Sequence, residues 1–239
     1  IILMFCLMAK ESIGQGADQP IANKGYYRSF NSAGGYLHTL GLGMFYRHGW
    51  RLTGFSNHLI NFEISSLHDK KEYKISTPGS QTRGYFYGKI NSAGLVRASY
   101  GWQKTLFDKE VKRGVRVSHF ILLGPTFALV KPVYVQLNRI NEGGDAELIK
   151  YSTAVHNQGE VIGRGPVLYK LNSTKIYPGG HIKYSLNFEY SSDDSYIRAI
   201  ETGACLDVFA KQLPIMENNY NDPIFLTLYV SFNFGKRSL

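Results

Sequence analysis

The chain has 239 residues, of which 44% are hydrophobic, so it is long enough for one domain with a buried core and too apolar for a disordered polymer. Only 19% of the residues are charged, 14% are aromatic and 25 are glycines, which argues against a helical bundle. The net charge of +9 is compatible with nucleic acid, an anionic membrane surface or acidic polymers. Because no Lys/Arg-rich block carries interleaved aromatics, nucleic acid is disfavoured as a partner.

An uninterrupted apolar run over residues 1–9 comes first. It is too short to cross a bilayer as a helix and is typical of the apolar region of a secretory signal. We therefore expect a signal peptide over residues 1–17 and a periplasmic segment over 18–33; the alternative is a buried first strand or helix. The mature chain would keep one cysteine, Cys205, so we expect no internal disulfide, and no cofactor or metal is predicted.

Apolar and polar residues alternate beyond residue 34 in segments of about ten residues, a pattern typical of transmembrane barrel strands. A Lys131-Pro132 pair interrupts one segment and predicts a bulge. The sequence predicts eight strands in residues 34–239, at 36–46, 57–65, 96–103, 115–123, 127–138, 181–190, 196–209 and 224–234.

The last strand is the clearest, because its two faces differ completely. One face carries Ile224, Leu226, Leu228, Val230, Phe232 and Phe234, and the other carries Phe225, Thr227, Tyr229, Ser231 and Asn233. We predict an all-β, closed antiparallel up-and-down transmembrane β-barrel of about eight strands with one long external loop, whose apolar faces meet lipid.

The mixed faces carry glycines and charges of both signs, which suits a narrow lumen filled by side chains. The predicted lumenal polar residues are Glu63, Arg97, Lys183, Glu189, Glu201 and Asp207. They form either an ion or proton path or, as we favour, a paired structural network. An eight-stranded lumen is only wide enough to be filled, so an open porin is disfavoured.

Aromatic residues gather near the predicted strand ends, where barrels carry interfacial girdles. The predicted interfacial aromatics are Tyr46, Trp50, Tyr100, Trp102, Tyr190, Phe232 and Phe234.

The predicted strand order also assigns each connection to one side of the membrane. With the last strand running toward the periplasm, the external loops are expected at 49–54, 106–112, 139–180 and 210–222. The internal turns are then expected at 66–83, 124–126 and 191–195. The segment 66–83 is long for a periplasmic turn and is the weak point of this assignment.

Several motifs resemble those of small outer-membrane β-barrel proteins of the Bacteroidota. They are the segment 85–91 (YFYGKIN), the Tyr100-Gly101-Trp102 group, Gly124-Pro125 followed by the segment 131–134, and the closing segment 226–234. The closing segment is similar to the C-terminal signal that the barrel-assembly machinery recognises, although residues 235–239 extend beyond it. The resemblance implies location and fold more than activity, because such barrels include accessory members of larger envelope complexes.

The leading hypothesis is therefore a non-enzymatic outer-membrane barrel with a structural, adhesion or accessory-complex role, whose contact surface is the loops 139–180 and 210–222. Expected partners are outer-membrane lipids including lipopolysaccharide, the assembly machinery and an envelope protein. One alternative is a lipid A-modifying hydrolase or acyltransferase. The neighbours Ser118 and His119 point oppositely and cannot pair with each other, which leaves a pairing across strands open, but structural histidines are favoured. The other alternative is a secreted soluble barrel that binds a small ligand.

Overall fold

The structure is a computed structural model, and it describes residues 27–53, 55–70, 72–75, 85–109, 114–137, 147–152, 161–166, 169–217 and 221–238. The predicted signal peptide at 1–17 lies outside the described residues. The first strand begins at Ser29, so the barrel starts before residue 34 and includes the end of the predicted segment 18–33. No helix in the described part of the chain is long and apolar enough to cross a membrane.

Eight long strands close into one antiparallel barrel, as predicted. They are β1 (Ser29–His38), β2 (Gly41–Arg51), β3 (Ser56–Leu67), β6 (Asn91–Phe107), β7 (Arg116–Pro132), β11 (Lys175–Glu189), β12 (Tyr196–Phe209) and β13 (Ile224–Ser238). Each strand pairs with its chain neighbour in this series, and β1 pairs with β13 to close the sheet. The up-and-down topology follows directly from this order.

Among the described residues, five short strands belong to sheets other than the barrel wall. The hairpin of β4 (Tyr73–Ile75) and β5 (Tyr85–Tyr87) follows β3. The strands β8 (Tyr134–Leu137), β9 (Glu147–Lys150) and β10 (Val161–Arg164) form a second sheet in the order β10-β8-β9, and a 3₁₀ turn at Leu171–Ser173 precedes β11.

The strand register gives the barrel a stagger of ten residues. Pairs lead from Lys236 through Asn31, His48, Ile60, Tyr100, Leu123, Ile182 and Leu206 back to β13 at Leu226. Stagger and strand tilt are linked in a closed barrel, and eight tilted strands leave an interior that side chains can fill.

All the long connections lie at one end of the barrel, called here the loop end. The connections 68–90, 133–174 and 210–223 leave from this end, together with the tight turn at residues 39–40. Both described termini and the connections 52–55, 108–115 and 190–195 lie at the opposite end, called here the terminal end.

This arrangement corrects three of the predicted sides. The connection predicted at 66–83 leaves from the loop end, the same end as the connections predicted at 139–180 and 210–222. The segments 49–54 and 106–112 lie instead at the terminal end with 191–195. The predicted turn at 124–126 does not exist, because β7 runs through it.

Two strand predictions were wrong in ways that left the number eight unchanged. The predicted strand 36–46 is a hairpin that turns at residues 39–40, and Gly41 enables it with a φ of 153°. A Cβ on Gly41 would lie 2.5 Å from Ser66 Oγ, so a larger residue does not fit. Tyr36 therefore faces inward instead of sharing the outward face of Met44 and Tyr46.

The predicted strands 115–123 and 127–138 are mostly one strand, β7, with Gly124 and Pro125 in its middle. A Cβ on Gly124 would lie 2.0 Å from the Ala98 carbonyl oxygen, so glycine lets β6 approach closely here. Lys131-Pro132 ends the strand and is not a bulge; the irregularity in this pair of strands lies at Thr105 to Phe107 of β6.

Candidate functional site: the filled barrel interior

The six predicted lumenal residues all lie inside the barrel. Glu63, Arg97, Lys183, Glu189, Glu201 and Asp207 are each at most 3% exposed. They come from four strands, so alternation along each strand, and not proximity in sequence, brings them together. Any function beyond filling the lumen stays a prediction for this set.

Five of them join Arg47 in a chain of alternating charge along the lumen. Arg47 Nη1 lies 3.0 Å from Glu201 Oε2, and Lys183 Nζ lies 3.8 Å from Glu201 Oε1 and 2.5 Å from Glu63 Oε1. Arg97 Nη1 lies 3.3 Å from Glu63 Oε2. The same guanidinium donates to Asp207 through Nη2 to Oδ2 at 2.7 Å and through Nε to Oδ1 at 2.8 Å. Three cations thus face three carboxylates, and this row of ionic side chains has no net charge.

Neutral side chains satisfy the remaining acceptors of these carboxylates. The Tyr229 hydroxyl donates to Glu201 at 2.6 Å, and the Asn233 amide donates to it at 3.0 Å. Asn61 donates to Glu63 at 2.8 Å, and Thr126 donates to Asp207 at 3.2 Å. Buried charges persist only when they are paired and hydrogen-bonded, so these contacts are part of the network.

Arg47 was missed by the sequence prediction, although it is as buried as the others, at 4% exposure. Its guanidinium lies 4.3 Å from the centre of the Phe120 ring in addition to its bond with Glu201. The alternation of β2, with Phe45, Arg47 and Gly49 opposite Tyr46 and its neighbours, was the available signal. Joining β2 to β1 as one strand hid that signal.

A second ionic cluster closes the terminal end around Glu189. Its carboxylate contacts Arg237 at 2.5 Å, Lys109 at 3.2 Å and Arg116 at 3.7 Å. Arg116 also pairs with Asp108 at 2.7 Å. Because Arg237 belongs to the extension beyond Phe234, that extension completes β13 and ties it to β11.

An apolar cap closes the loop end. The connection after β12 places Leu213, Ile215 and Met216 into a cluster with inward residues of the barrel wall, namely Leu40, Leu67, Ala93, Leu95, Ala128, Val130, Phe209 and Phe225. The Asn221 side chain accepts from the Ile215 and Met216 amides at 3.1 and 3.2 Å. The cap is therefore held by hydrogen bonds between this side chain and the backbone as well as by burial.

A hydrogen-bonded Ser and His pair exists inside the barrel, formed by residues other than Ser118 and His119. His181 Nε2 lies 3.0 Å from Ser99 Oγ, and its Nδ1 lies 2.8 Å from Thr126 Oγ1. Both His181 and Ser99 are buried beneath the apolar cap, so a lipid substrate has no approach to them in this conformation. Ser118 faces inward and His119 lies on the outward face.

The predicted interfacial aromatics face outward near the terminal end. One lies at the centre of its strand (Tyr46), and the others lie in the half of their strand nearer that end or directly after it: Trp50, Tyr100, Trp102, Tyr190, Phe232 and Phe234. Trp50 stacks on His58, and the Tyr100 hydroxyl lies 2.5 Å from His58 Nδ1. Their role as a girdle stays a prediction.

The second sheet rests on its own small core at the loop end. Val133, Val135 and Tyr151 are buried there with Ile90 and Ile149 packed against them. The Tyr151 hydroxyl accepts from the Gly88 amide at 3.2 Å, and burial raises the pKa of its phenol. Among the described residues, no group of three or more His, Cys, Asp or Glu side chains could hold a metal ion.

Comparisons with known proteins give structural similarity alone. No family model and no curated protein matches the sequence. The attachment invasion locus protein Ail of Yersinia pestis, solved with the heparin analogue sucrose octasulfate, is 9% identical with a TM-score of 0.42 over 88% of this chain and 98% of its own.

Two further solved barrels are similar at the same level. Neisserial surface protein A is 10% identical with a TM-score of 0.42, over 88% of this chain and 96% of its own. The N-terminal β-barrel domain of Pseudomonas aeruginosa OprF is 11% identical with a TM-score of 0.37, over 87% and 98%. At TM-scores below 0.5 these similarities carry no functional argument, and the resemblance to barrels of Bacteroidota stays a prediction.

Proposed function

We propose that the chain is an integral outer-membrane β-barrel with a structural, adhesion or accessory-complex role, and that it is not an open porin. The observation that carries this proposal is the distribution of charge across the barrel wall. Within the eight barrel strands, every outward position lacks Asp and Glu, and the four strand carboxylates Glu63, Glu189, Glu201 and Asp207 face inward.

The outward faces have the composition of a surface in contact with hydrocarbon. Leu226 and Leu228 are 58% and 59% exposed, and large apolar side chains are similarly exposed on all eight strands. A contiguous exposed apolar surface of this kind is very unfavourable in water, whereas lipid accommodates it. Because the barrel is closed, its backbone groups are paired between strands, as a membrane requires.

The asymmetry of the two ends supports an orientation. Outer-membrane barrels have short periplasmic turns and longer external loops. We therefore place the terminal end in the periplasm and the loop end outside the cell. In this orientation the second sheet and the apolar cap form the external surface, which includes the described parts of 139–180 and 210–222.

That external surface is also the proposed contact surface. Exposed lysines on it are Lys70, Lys150, Lys170, Lys175 and Lys211. Lysine ammonium groups bind phosphate as point charges, so lipopolysaccharide phosphates are suitable partners for this surface. We also propose an envelope protein as a partner of the mature barrel and the barrel-assembly machinery as a partner during biogenesis.

Gel migration and membrane extraction test the membrane proposal. We expect the detergent-solubilised protein to migrate differently before and after boiling, and to remain with membranes after a high-salt wash. Recovery in the soluble fraction with a single gel band would instead favour the secreted soluble barrel.

Planar-bilayer recording tests the closed lumen. We expect no steady conductance of porin size, because the ionic chain and the cap fill the interior. A large, stable conductance from the wild-type protein would contradict this part of the proposal. A change in lipid A mass on expression would favour the enzyme alternative.

A further inference from the structure

The outward faces of the barrel strands carry only four formal cations, and three of them lie at the terminal end. These three are Lys104, Arg198 and Lys236, while Lys131 lies at the loop end. No carboxylate shares the outward faces of the eight strands, so the three terminal-end cations have no counter-charge on that surface. The positive charge of the membrane-facing wall is therefore concentrated at one end.

Two of these cations join polar residues across the seam where the barrel closes. Lys236 of β13 is the register partner of Asn31 of β1, and Asn31 is the partner of His48 of β2. Directly opposed residues have Cβ atoms about 5 Å apart. Arg198 pairs with Phe234, which places it diagonally next to Lys236, roughly 7–8 Å away. We name these four residues, Asn31, His48, Arg198 and Lys236, the seam patch.

Two hydrogen bonds fix the orientation of the Asn31 side chain in the seam patch. The Asn31 Oδ1 atom accepts from the Tyr46 hydroxyl at 3.0 Å and lies 2.6 Å from His48 Nδ1. Since Oδ1 is an acceptor, Nδ1 of His48 carries the proton in this contact. The side-chain oxygen of Asn31 is thus engaged, and its amide nitrogen supplies donors at the strand position directly opposite Lys236.

Aromatic side chains frame the seam patch on the same outward face. Trp50 lies two residues from His48 on β2, and Phe234 lies two residues from Lys236 on β13. Phe234 is 59% exposed. A cationic, donor-rich patch bordered by aromatics has the composition of the zone where lipid headgroups meet hydrocarbon.

We infer that the seam patch binds the phosphodiester of an anionic phospholipid, such as phosphatidylglycerol, in the membrane leaflet at the terminal end. This inference rests on the proposed membrane function. The guanidinium of Arg198 and the ammonium of Lys236 neutralise the phosphate charge, and the Asn31 amide donates to it. The acyl chains then lie along the apolar faces of β12, β13 and β1.

Quenching of Trp50 by brominated lipids tests the inference. Trp102→Phe leaves Trp50 as the one tryptophan, because the chain has two. The refolded protein is placed in phosphatidylcholine vesicles with either brominated phosphatidylglycerol or brominated phosphatidylcholine at equal mole fraction. We expect stronger quenching by the anionic lipid.

Two double variants in the Trp102→Phe background separate the seam patch from total charge. Arg198→Gln with Lys236→Gln removes its cations, and Lys104→Gln with Lys131→Gln removes the two outward cations outside the patch as the control. Each cation near an anionic headgroup changes affinity by about fivefold, so we expect the first pair to lose roughly 25-fold in preference for phosphatidylglycerol. The control pair should keep the preference, and heat-dependent gel migration shows that both variants fold.

The possible outcomes separate the two proposals. Equal quenching by both lipids in the parent protein, or an unchanged preference in the Arg198 and Lys236 variant, would overturn the seam patch while leaving the membrane proposal intact. Absence of quenching by either lipid would mean that Trp50 does not meet hydrocarbon, and the membrane proposal would fail first.

Discussion

The inner and outer faces of the same strands have opposite compositions. Along β13, the inward residues Tyr229 and Asn233 donate hydrogen bonds to Glu201, whereas the outward residues Leu226 and Leu228 are exposed and apolar. In a water-soluble barrel the apolar face would be the inward one. The difference teaches that most buried residues in the middle of this strand are polar and lie beside ions, while its exposed residues form the apolar surface that the proposed membrane would cover.

The largest effect should come from removing one charge on the inner face. Glu201→Ala leaves Arg47 and Lys183 without a shared carboxylate in an interior where Glu201 is 0% exposed. We expect a loss of about 3–5 kcal/mol in the free energy of unfolding, because the remaining buried charges are uncompensated. Equilibrium unfolding in urea, monitored by gel migration, measures this free energy. Asp222→Asn on the exposed loop is the control, and a loss below about 1 kcal/mol for Glu201→Ala would contradict the pairing argument.

Adding a charge to the outer face should cost somewhat less. Leu228 is 59% exposed and lies near the middle of the outward apolar run of β13 from Ile224 to Phe234. We expect Leu228→Arg to cost about 2–4 kcal/mol in lipid vesicles, because arginine near the bilayer midplane is unfavourable. Leu228→Ala controls for the loss of the leucine itself. If Leu228→Arg were no worse than Leu228→Ala, the outer face would be in contact with water.

A substitution in the apolar cap tests whether breaking hydrophobic packing lowers stability as much as breaking the ionic network. Leu213 is 1% exposed within the cap. We expect Leu213→Ala to lower the local stability of the connection 210–217 by about 2 kcal/mol, near the lower limit for such changes because a loop collapses into the space. Hydrogen exchange of that segment measures the effect. Lys211→Ala is the exposed control, and equal exchange in both variants would show that the cap is not held by packing.

The smallest effect should come from the same charge at the edge of the outer face. Phe234 lies in the terminal-end half of β13 and is 59% exposed. We expect Phe234→Arg to cost only about 0–1 kcal/mol in vesicles, since the penalty falls near the interface. Comparison with Leu228→Arg in the same unfolding assay gives a depth profile on one strand. Equal costs at both positions would contradict the proposed position of the membrane.

Alternation predicted the inner face well wherever a strand was continuous and isolated. Glu63, Arg97 and Lys183 each sit between outward apolar neighbours in sequence, so their common direction was visible without coordinates. Their pairing was not visible, because Glu63 meets Lys183 across 120 residues. Register between distant strands depends on how the whole barrel closes.

Turns were predicted less well, because local chemistry did not mark them reliably. The true reversal at Thr39 and Leu40 has no proline and looks like continued alternation. Gly124-Pro125 looks like a turn but lies inside β7, where the glycine allows β6 to approach. One missed turn and one false turn left the strand count correct and reversed the assigned side of three connections.

The sequence alone determined that alternate residues of about eight strands would separate apolar side chains from ions, because the period of a strand is two and requires no tertiary information. Only the tertiary structure decided which carboxylate meets which cation, that Arg47 joins them, and that the long connections share one end. The physical reason is that these features depend on register and closure, which are properties of the complete barrel and not of any single strand.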